Sequence, residues 1–421
     1  MLDIKFIREN KDIIDLAAKK KRLKFDVGGL LKVDDERRVL LTAIEKKRAE
    51  QNEFSSQMAK MAAGGGRDAL LSDLKKLKES LKTEEDKLTE VMKKWRKLML
   101  EVPNIPDMSV PEGNSEKDNV EVQTWGTKPS FGFPVKDHLE LLTGLGMIDF
   151  ERGVKAHGFR GYFLKGAGAE LTWAIWNYAR SFYGKKNYEP FIAPAIVREE
   201  FFYGTGHLPK EAEDLYETQD KDYLSGTAEV AMMAYHAGEV LREDELPKRY
   251  LAFSPCYRRE AGSYGKDVKG IIRVQEFFKI EQLILSKADH AESVKFHEEI
   301  NRNFEEFLES LALPYRRLLI CTGDLAPSKV KQYDTEAWFP SQKAYRELSS
   351  ASYYHDFQSR RFDIRYASGG KKPYVHSLNC TAVATPRIIG ALVENNQEAD
   401  GSVKIPKVLV PYMGTERIVA K

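Results

Sequence analysis

Over residues 67–101, Leu70, Leu74, Leu77, Leu81, Leu88, Val91, Trp95 and Leu98 recur at alternating steps of four and three, with Glu84 as the one break. That spacing predicts a long helix with a coiled-coil seam. A helix over about 34–61 precedes it. Asp34 reads as its N-cap with acidic residues behind, and Leu40, Ile44, Phe54, Met58 and Met61 form a weaker matching seam. Gly64, Gly65 and Gly66 forfeit helix propensity and permit a tight reversal between the two, and Pro103 stops the second. The pair predicts an antiparallel coiled-coil hairpin, whose longer arm reaches roughly 50 Å at about 1.5 Å per residue. A short amphipathic helix up to about residue 25, with Ile4, Ile7, Ile13, Ile14 and Leu16, comes first.

Beyond Pro103 the heptads vanish. Residues 106–127 are rich in Pro, Gly, Asp and Asn and read as a linker, which divides the chain into a helical arm (1–105), the linker and a larger body (128–421). The body mixes helical and β-type runs without regular βαβ alternation. No GxGxxG follows a strand and no GxxxxGK[ST] occurs, so the expectation is an α+β fold on an antiparallel sheet. Residues 170–183 read as an apolar helix, and 188–197, with Pro190 and Pro194, as an edge strand. Residues 256–283 read as an antiparallel hairpin around a loop at 261–270. Alternation puts Cys256, Arg258 and Glu260 on one face of its first strand. On its second strand Arg273, Gln275, Phe277, Lys279 and Glu281 share one face, and Ile272, Val274, Phe278 and Ile280 the other.

Composition narrows the picture. With 42% hydrophobic and 31% charged residues and a formal net charge of +2, the chain has no overall attraction to polyanions, so nucleic-acid contact must come from local patches. The excess of Lys and Arg lies in the first 110 residues and includes Lys93, Lys94, Arg96 and Lys97; the remainder is slightly acidic. A basic rod suits RNA shape and phosphate as well as it suits a protein partner. Cys256, Cys321 and Cys380 are scattered, and no paired Cys/His spacing favours zinc. The charged N-terminus and the lack of a long apolar run point to a cytoplasmic protein with no membrane role.

The charged face of the hairpin suits a triphosphate with a flat base, since Arg forks grip phosphate and a ring stacks on a purine. Read alone, it is equally a solvated face laced with salt bridges. Arg258-x-Glu260, a Gly-rich loop, then Arg273-x-x-x-Phe277 resembles motif 2 of the class II aminoacyl-tRNA synthetases. The helix and Pro-bearing strand at 170–197 resemble motif 1, and Arg387 opening a helix after a small-residue strand resembles motif 3. With the arm, Thr227-Ala228-Glu229, the run RELSSAS at 346–352, DFQSRR at 356–361 and LNCTAVATPR at 378–387, nearly the whole chain resembles the seryl-tRNA synthetase family. On the residues alone, Thr227 is also a good helix N-cap and Arg387 an ordinary helix-end charge.

The resemblance implies a dimeric class II catalytic domain with an N-terminal coiled-coil arm that holds tRNA(Ser), with tRNA(Sec) a second candidate. It implies ATP-dependent ligation of L-serine through seryl-adenylate, with Mg²⁺ accompanying ATP. Carried over by position, the catalytic residues are Arg258 and Arg387. Serine falls to Thr227, Ala228, Glu229, Arg258, Glu281, Asn379 and Thr381. ATP falls to Arg258, Arg259, Glu260, Arg273, Val274, Phe277, Glu347, Leu348, Ser349, Ser350 and Arg387, and Mg²⁺ to Glu347 and Ser350. The chain departs from the family pattern at Gln275-Glu276, at Tyr353-Tyr354-His355 and in a Thr-rich motif 3. The rival reading is a catalytically inactive, RNA-binding paralogue.

Overall fold

The computed structural model describes residues 1–60, 65–261 and 270–420. Met61 of the predicted seam, Gly64 of the predicted reversal and most of the predicted 261–270 loop lie outside the described residues. The chain divides into two compact units, Met1–Pro103 and Asn104–Lys421. Among the described residues no helix is long and apolar enough to cross a membrane.

The first unit is helical. It opens with two short helices, α1 (Ile4–Glu9) and α2 (Lys11–Lys20), where one was expected. Asn10 separates them: its backbone leaves the helical region (φ −128°, ψ 42°) and its side chain donates to the Phe6 carbonyl, a local bond that competes with helix. Ile7 and Ile14 are buried, but Ile13 and Leu16 face solvent, and Ala17 and Ala18 complete the buried stripe instead. The long helices are α3 (Val27–Lys60) and α4 (Gly65–Glu101), so Gly65 and Gly66 belong to a helix. α3 begins directly after Asp26, and Asp34 is not its cap. Asp34 is buried inside α3, where its carboxylate accepts from Arg8 Nε (2.8 Å), Arg37 Nε (2.9 Å) and Trp95 Nε1 (3.0 Å). Burial alone would raise this carboxyl; the two arginines outweigh it and hold it below its ordinary value. In the seam Leu74, Leu81, Val91 and Ile44 are buried. The Glu84 break is answered across the seam by Lys47, whose ammonium donates to Glu84 Oε1 at 2.7 Å and to Ser80 Oγ at 2.5 Å.

The second unit is built on one eight-stranded sheet. Its strands are β1 (Val120–Trp125), β2 (Glu189–Ile192), β3 (Lys248–Tyr257), β4 (Glu276–Ser286), β5 (Tyr315–Leu319), β6 (Lys331–Phe339), β7 (Ala344–Tyr353) and β8 (His376–Ala384), in the order β1-β5-β6-β7-β8-β4-β3-β2. Neighbours are antiparallel except that β2 runs parallel to β3. Pro190 lies in this edge strand, where a missing N–H need not break the sheet. The predicted linker is corrected here, because Asn104 and its successors are tied into the unit. Asn104 Nδ2 donates to the Tyr354 carbonyl at 2.8 Å, and β1 pairs with β5 through a bulge between Glu121 and Gln123. The VEVQTW run carries strand character that the flanking Pro and Gly disguise.

Alternation along β4 feeds two cores. Ile280 and Ile284 join the larger one beneath α5 (His138–Gly144), α6 (Ala167–Gly184), α8 (His290–Ser310) and α9 (Thr385–Asn395). Leu283 and Leu285 join a smaller one with Val230 and Met233 of α7 (Ala228–Ala234). Phe277, Lys279 and Glu281 share the side of Leu283, so this face is polar near the start of β4 and apolar further on.

Candidate active site

Strand β3 ends at Tyr257 and β4 begins at Glu276, so Arg258–Glu260 and Ile271–Gln275 lie beyond the paired strands. Ile272 and Val274 are buried as the alternation expects, but beyond the ladder the faces are no longer kept apart: Ile271 is buried as well, and Ile271, Ile272, Arg273 and Val274 all line one cavity. These two strand extensions, the start of α9 and the middle of β7 enclose one cavity. Arg258, Glu260, Arg273, Val274, Phe277, Glu347, Leu348, Thr381 and Arg387 all line it, together with Ile271, Ile272, Lys279, Ala384 and Pro386.

Its charges are partly paired. Arg387 donates through Nη1 to the Glu347 carbonyl at 2.9 Å, approaches its carboxylate at 3.3 Å, and donates through Nε to the Ile272 carbonyl at 3.3 Å. Burial works to raise the Glu347 carboxyl, but Arg387 and then Arg258 outweigh it and keep it below its ordinary value. Asp334, opposite Ser350 in the β6–β7 ladder, is pushed up to about 7 by burial and then by the charge of Glu347. Arg273 donates to Glu260 Oε2 at 2.8 Å, and Glu260 itself holds the left-handed conformation at φ 55°. Arg258 donates to the Gly226 carbonyl at 3.3 Å, and its guanidinium lies 5.4 Å from the centre of the Phe277 ring.

Next to this cavity is a buried polar cluster. Thr227 caps α7, accepting from the Glu229 amide at 3.2 Å. The same hydroxyl accepts from Lys279 Nζ at 2.8 Å and donates to Glu281 Oε2 at 3.1 Å, and Lys279 also pairs directly with Glu281. Thr381 is the cross-strand neighbour of Glu281. Glu229 accepts from the amide of Gln358 at 2.7 Å, and Gln358 is fixed in turn by the Ser377 hydroxyl at 2.7 Å. The cluster thus holds two buried carboxylates, of which only Glu281 meets an ammonium, and that imbalance favours a further cation.

Not every expected residue reaches the cavity. Ser349 points into the sheet and donates to the Thr381 carbonyl at 2.6 Å, Asn379 accepts from Tyr354 at 3.3 Å, and Ala228 is fully buried at the start of α7. Arg259 is exposed, with its carbonyl held by Gln275 at 3.1 Å, so Gln275 serves the backbone rather than the cavity. Lys279 and Gln358 received no role from the sequence. The shared face with Phe277 and Glu281 was the available signal for Lys279, whereas Gln358 lay in the DFQSRR run that carried the resemblance but was given no role of its own. The unusual Tyr353 and Tyr354 are packed, Tyr353 donating to Asp107 at 2.8 Å. Cys256 and Cys380 are buried free thiols, and burial pushes both upward, which makes them poor nucleophiles.

Comparison with known proteins agrees with this arrangement. Residues 1–106 match the seryl-tRNA synthetase N-terminal domain, and residues 213–396 match the tRNA synthetase class II core domain (G, H, P, S and T). The serine–tRNA ligase of Deinococcus radiodurans is 42% identical, covering 100% of this chain and 99% of that protein. That of Kosmotoga olearia is 43% identical over 99% and 100% of the two chains. The crystal structure of seryl-tRNA synthetase from Pyrococcus horikoshii complexed with ATP superposes with a TM-score of 0.91 at 38% identity, each chain covered in full. The cytoplasmic enzyme of Naegleria fowleri in complex with AMP gives 0.86 at 31%, covering 100% of this chain and 99% of that one. A class II catalytic unit preceded by a helical arm, alike from end to end, places the chain in the seryl-tRNA synthetase family, the class II aminoacyl-tRNA synthetases that ligate serine to tRNA(Ser).

Proposed function

We propose that the cavity binds ATP, that the adjoining cluster binds serine, and that Arg258 joins the two. The observation that carries this reading is the position of Arg258, which bonds the Gly226 carbonyl beside Thr227 while its guanidinium lies near the Phe277 ring. The serine carboxylate attacks the α-phosphorus of ATP and pyrophosphate leaves, giving seryl-adenylate; a hydroxyl of the terminal ribose of tRNA then attacks the seryl carbonyl, the bond to the phosphate breaks, and AMP leaves. No protein nucleophile is needed, and the chain contributes orientation and charge. Arg258 spans the α-phosphate and the serine carboxylate, and Phe277 and Glu260 hold adenine. Arg387 and Arg273 take the remaining phosphates, Arg273 leaving Glu260 to do so. Glu229 and Glu281 take the serine ammonium and hydroxyl, with Thr227 and Thr381 closing the pocket.

Mg²⁺ fits at Glu347 and Ser350. Arg387 and Arg258 hold the Glu347 carboxyl below its ordinary value, and the Ser350 hydroxyl lies opposite the Asp334 carboxylate in the neighbouring strand, so oxygen donors are grouped there. When bound, the metal offsets triphosphate charge. The arm, with exposed Lys93, Lys94, Arg96 and Lys97, holds tRNA(Ser), and tRNA(Sec) is a second acceptor to test. Trp173 on α6 and Ile192 on β2, large apolar side chains that are 59% and 85% exposed, support a homodimer. The cytoplasm is the compartment that fits three free cysteines. The inactive-paralogue reading has no support from the relatives, which are named as ligases.

Pyrophosphate exchange into ATP with serine, alanine and threonine in parallel tests the reading. Serine alone is expected to sustain exchange, with alanine lower by roughly 10⁴, because it leaves the polar pocket unpaired. Equal exchange with alanine would sink the serine assignment.

A further inference from the structure

Asp214 belongs to none of the three motifs; it ends a short 3-10 turn (Ala212–Asp214). Past Tyr257 the chain runs out of strand partner. The Arg258 amide still donates to the Gln275 carbonyl at 2.9 Å, but the amides after it have no ladder to join. Asp214 takes them. Its carbonyl accepts from the Arg259 amide at 2.9 Å, and its carboxylate accepts from the Ala261 amide at 2.8 Å. Glu260 lies between these two bonds at φ 55°, a backbone conformation that non-glycine residues hold only where the surroundings impose it. In that conformation its carboxylate meets Arg273 at 2.8 Å across the cavity.

We propose that Asp214 is a positioning residue for ATP: acting as a substitute strand partner, it holds Glu260 in the left-handed conformation and so sets Glu260 for the nucleotide. The proposal rests on the reading of Glu260 as a nucleotide-binding residue. It separates the two substrates, because Asp214 bonds the amides on either side of Glu260, whereas Arg258, which spans both substrates, is held by the Gln275 and Gly226 carbonyls.

The test is serine-dependent pyrophosphate exchange in the full chain, with KM measured for ATP and for serine. Asp214→Ala is expected to raise the KM for ATP about tenfold while the KM for serine moves by less than about twofold. Asp214→Asn keeps a side-chain oxygen for the Ala261 amide and is expected to return the KM for ATP to within about threefold of the parent. An unchanged KM for ATP in Asp214→Ala, equal rises for both substrates, or an Asn variant as impaired as the Ala variant overturns the proposal. If the Ala variant does not fold, Asp214→Glu moves the carboxylate out by one methylene. The same ATP-selective rise is then expected, and a normal KM for ATP overturns the proposal. A parent enzyme that shows no serine-dependent exchange removes the underlying reading instead, so the two failures are distinguishable.

Discussion

Arg258 is exposed and bonds one carbonyl, so its removal leaves little unpaired in the fold. Arg258→Ala is expected to reduce pyrophosphate exchange by about a thousandfold or more while the thermal transition stays in place; an active, folded variant refutes its role. Gly226 is constrained by the same side chain. A Cβ there would stand 3.1 Å from Arg258 Cγ and Nε and 3.2 Å from the Tyr257 carbonyl, so Gly226→Ala displaces the guanidinium. His297 sets a pH dependence of stability. Burial pushes its imidazole from 6.5 down to about 4, while its Nε2 bonds the Ala351 carbonyl at 2.9 Å. Between these values the unfolded chain binds a proton that the folded chain refuses. Stability is therefore fully present above about pH 6.5 and falls as pH drops toward 4, by about 3 kcal/mol for this group. Denaturant melts across that range should show the slope, and His297→Gln should reduce it, with His355, which burial also pushes down to about 4, keeping the remainder. At this scale the sequence revealed charged residues set among strand formers, such as Arg258 and Glu281, and Arg387 at the opening of a helix. It left Gln358, inside the noted DFQSRR run, without a role, because its bond to Glu229 comes from far along the chain.

Elements were legible in proportion to their length and regularity. The heptads of α4 announced a helix that a packed seam then stabilises, while β1 was lost among prolines and glycines and α1–α2 was interrupted by a single Asn. The seam break carries its own prediction. Lys47 and Glu84 are each about three-quarters removed from solvent, so breaking the pair strands a charge, whereas replacing both with apolar residues completes the heptad. Lys47→Leu alone should destabilise the arm, and Lys47→Leu with Glu84→Leu should recover the loss and add about 1 kcal/mol in a double-mutant cycle. In the second unit Phe307 is fully buried on α8 amid Tyr178, Phe182 and Tyr183. Phe307→Ala should cost about 3–5 kcal/mol in unfolding experiments.

For the whole molecule, the division of labour makes the two units separable in assay. Reversing Lys93, Lys94, Arg96 and Lys97 to Glu should raise the KM for tRNA and flatten its salt dependence while leaving serine-dependent pyrophosphate exchange unchanged. Loss of exchange in that variant would count against the arm as a tRNA-holding element. The hairpin itself was foreseeable because each helix repeats one pattern. The site required residues from β3, β4, β7, β8 and α9 to converge, which no local pattern encodes. One detail of the arm bears on how it opens. Asp34 gathers Arg8, Arg37 and Trp95 from three helices, while Phe54, Met58 and Leu70 toward the far end are only half-buried. Amide exchange should therefore be graded along the rod, slowest around Asp34 and Val91 and fastest toward Met58 and Leu70, with the helices unzipping from the far end in brief excursions that the Asp34 knot arrests.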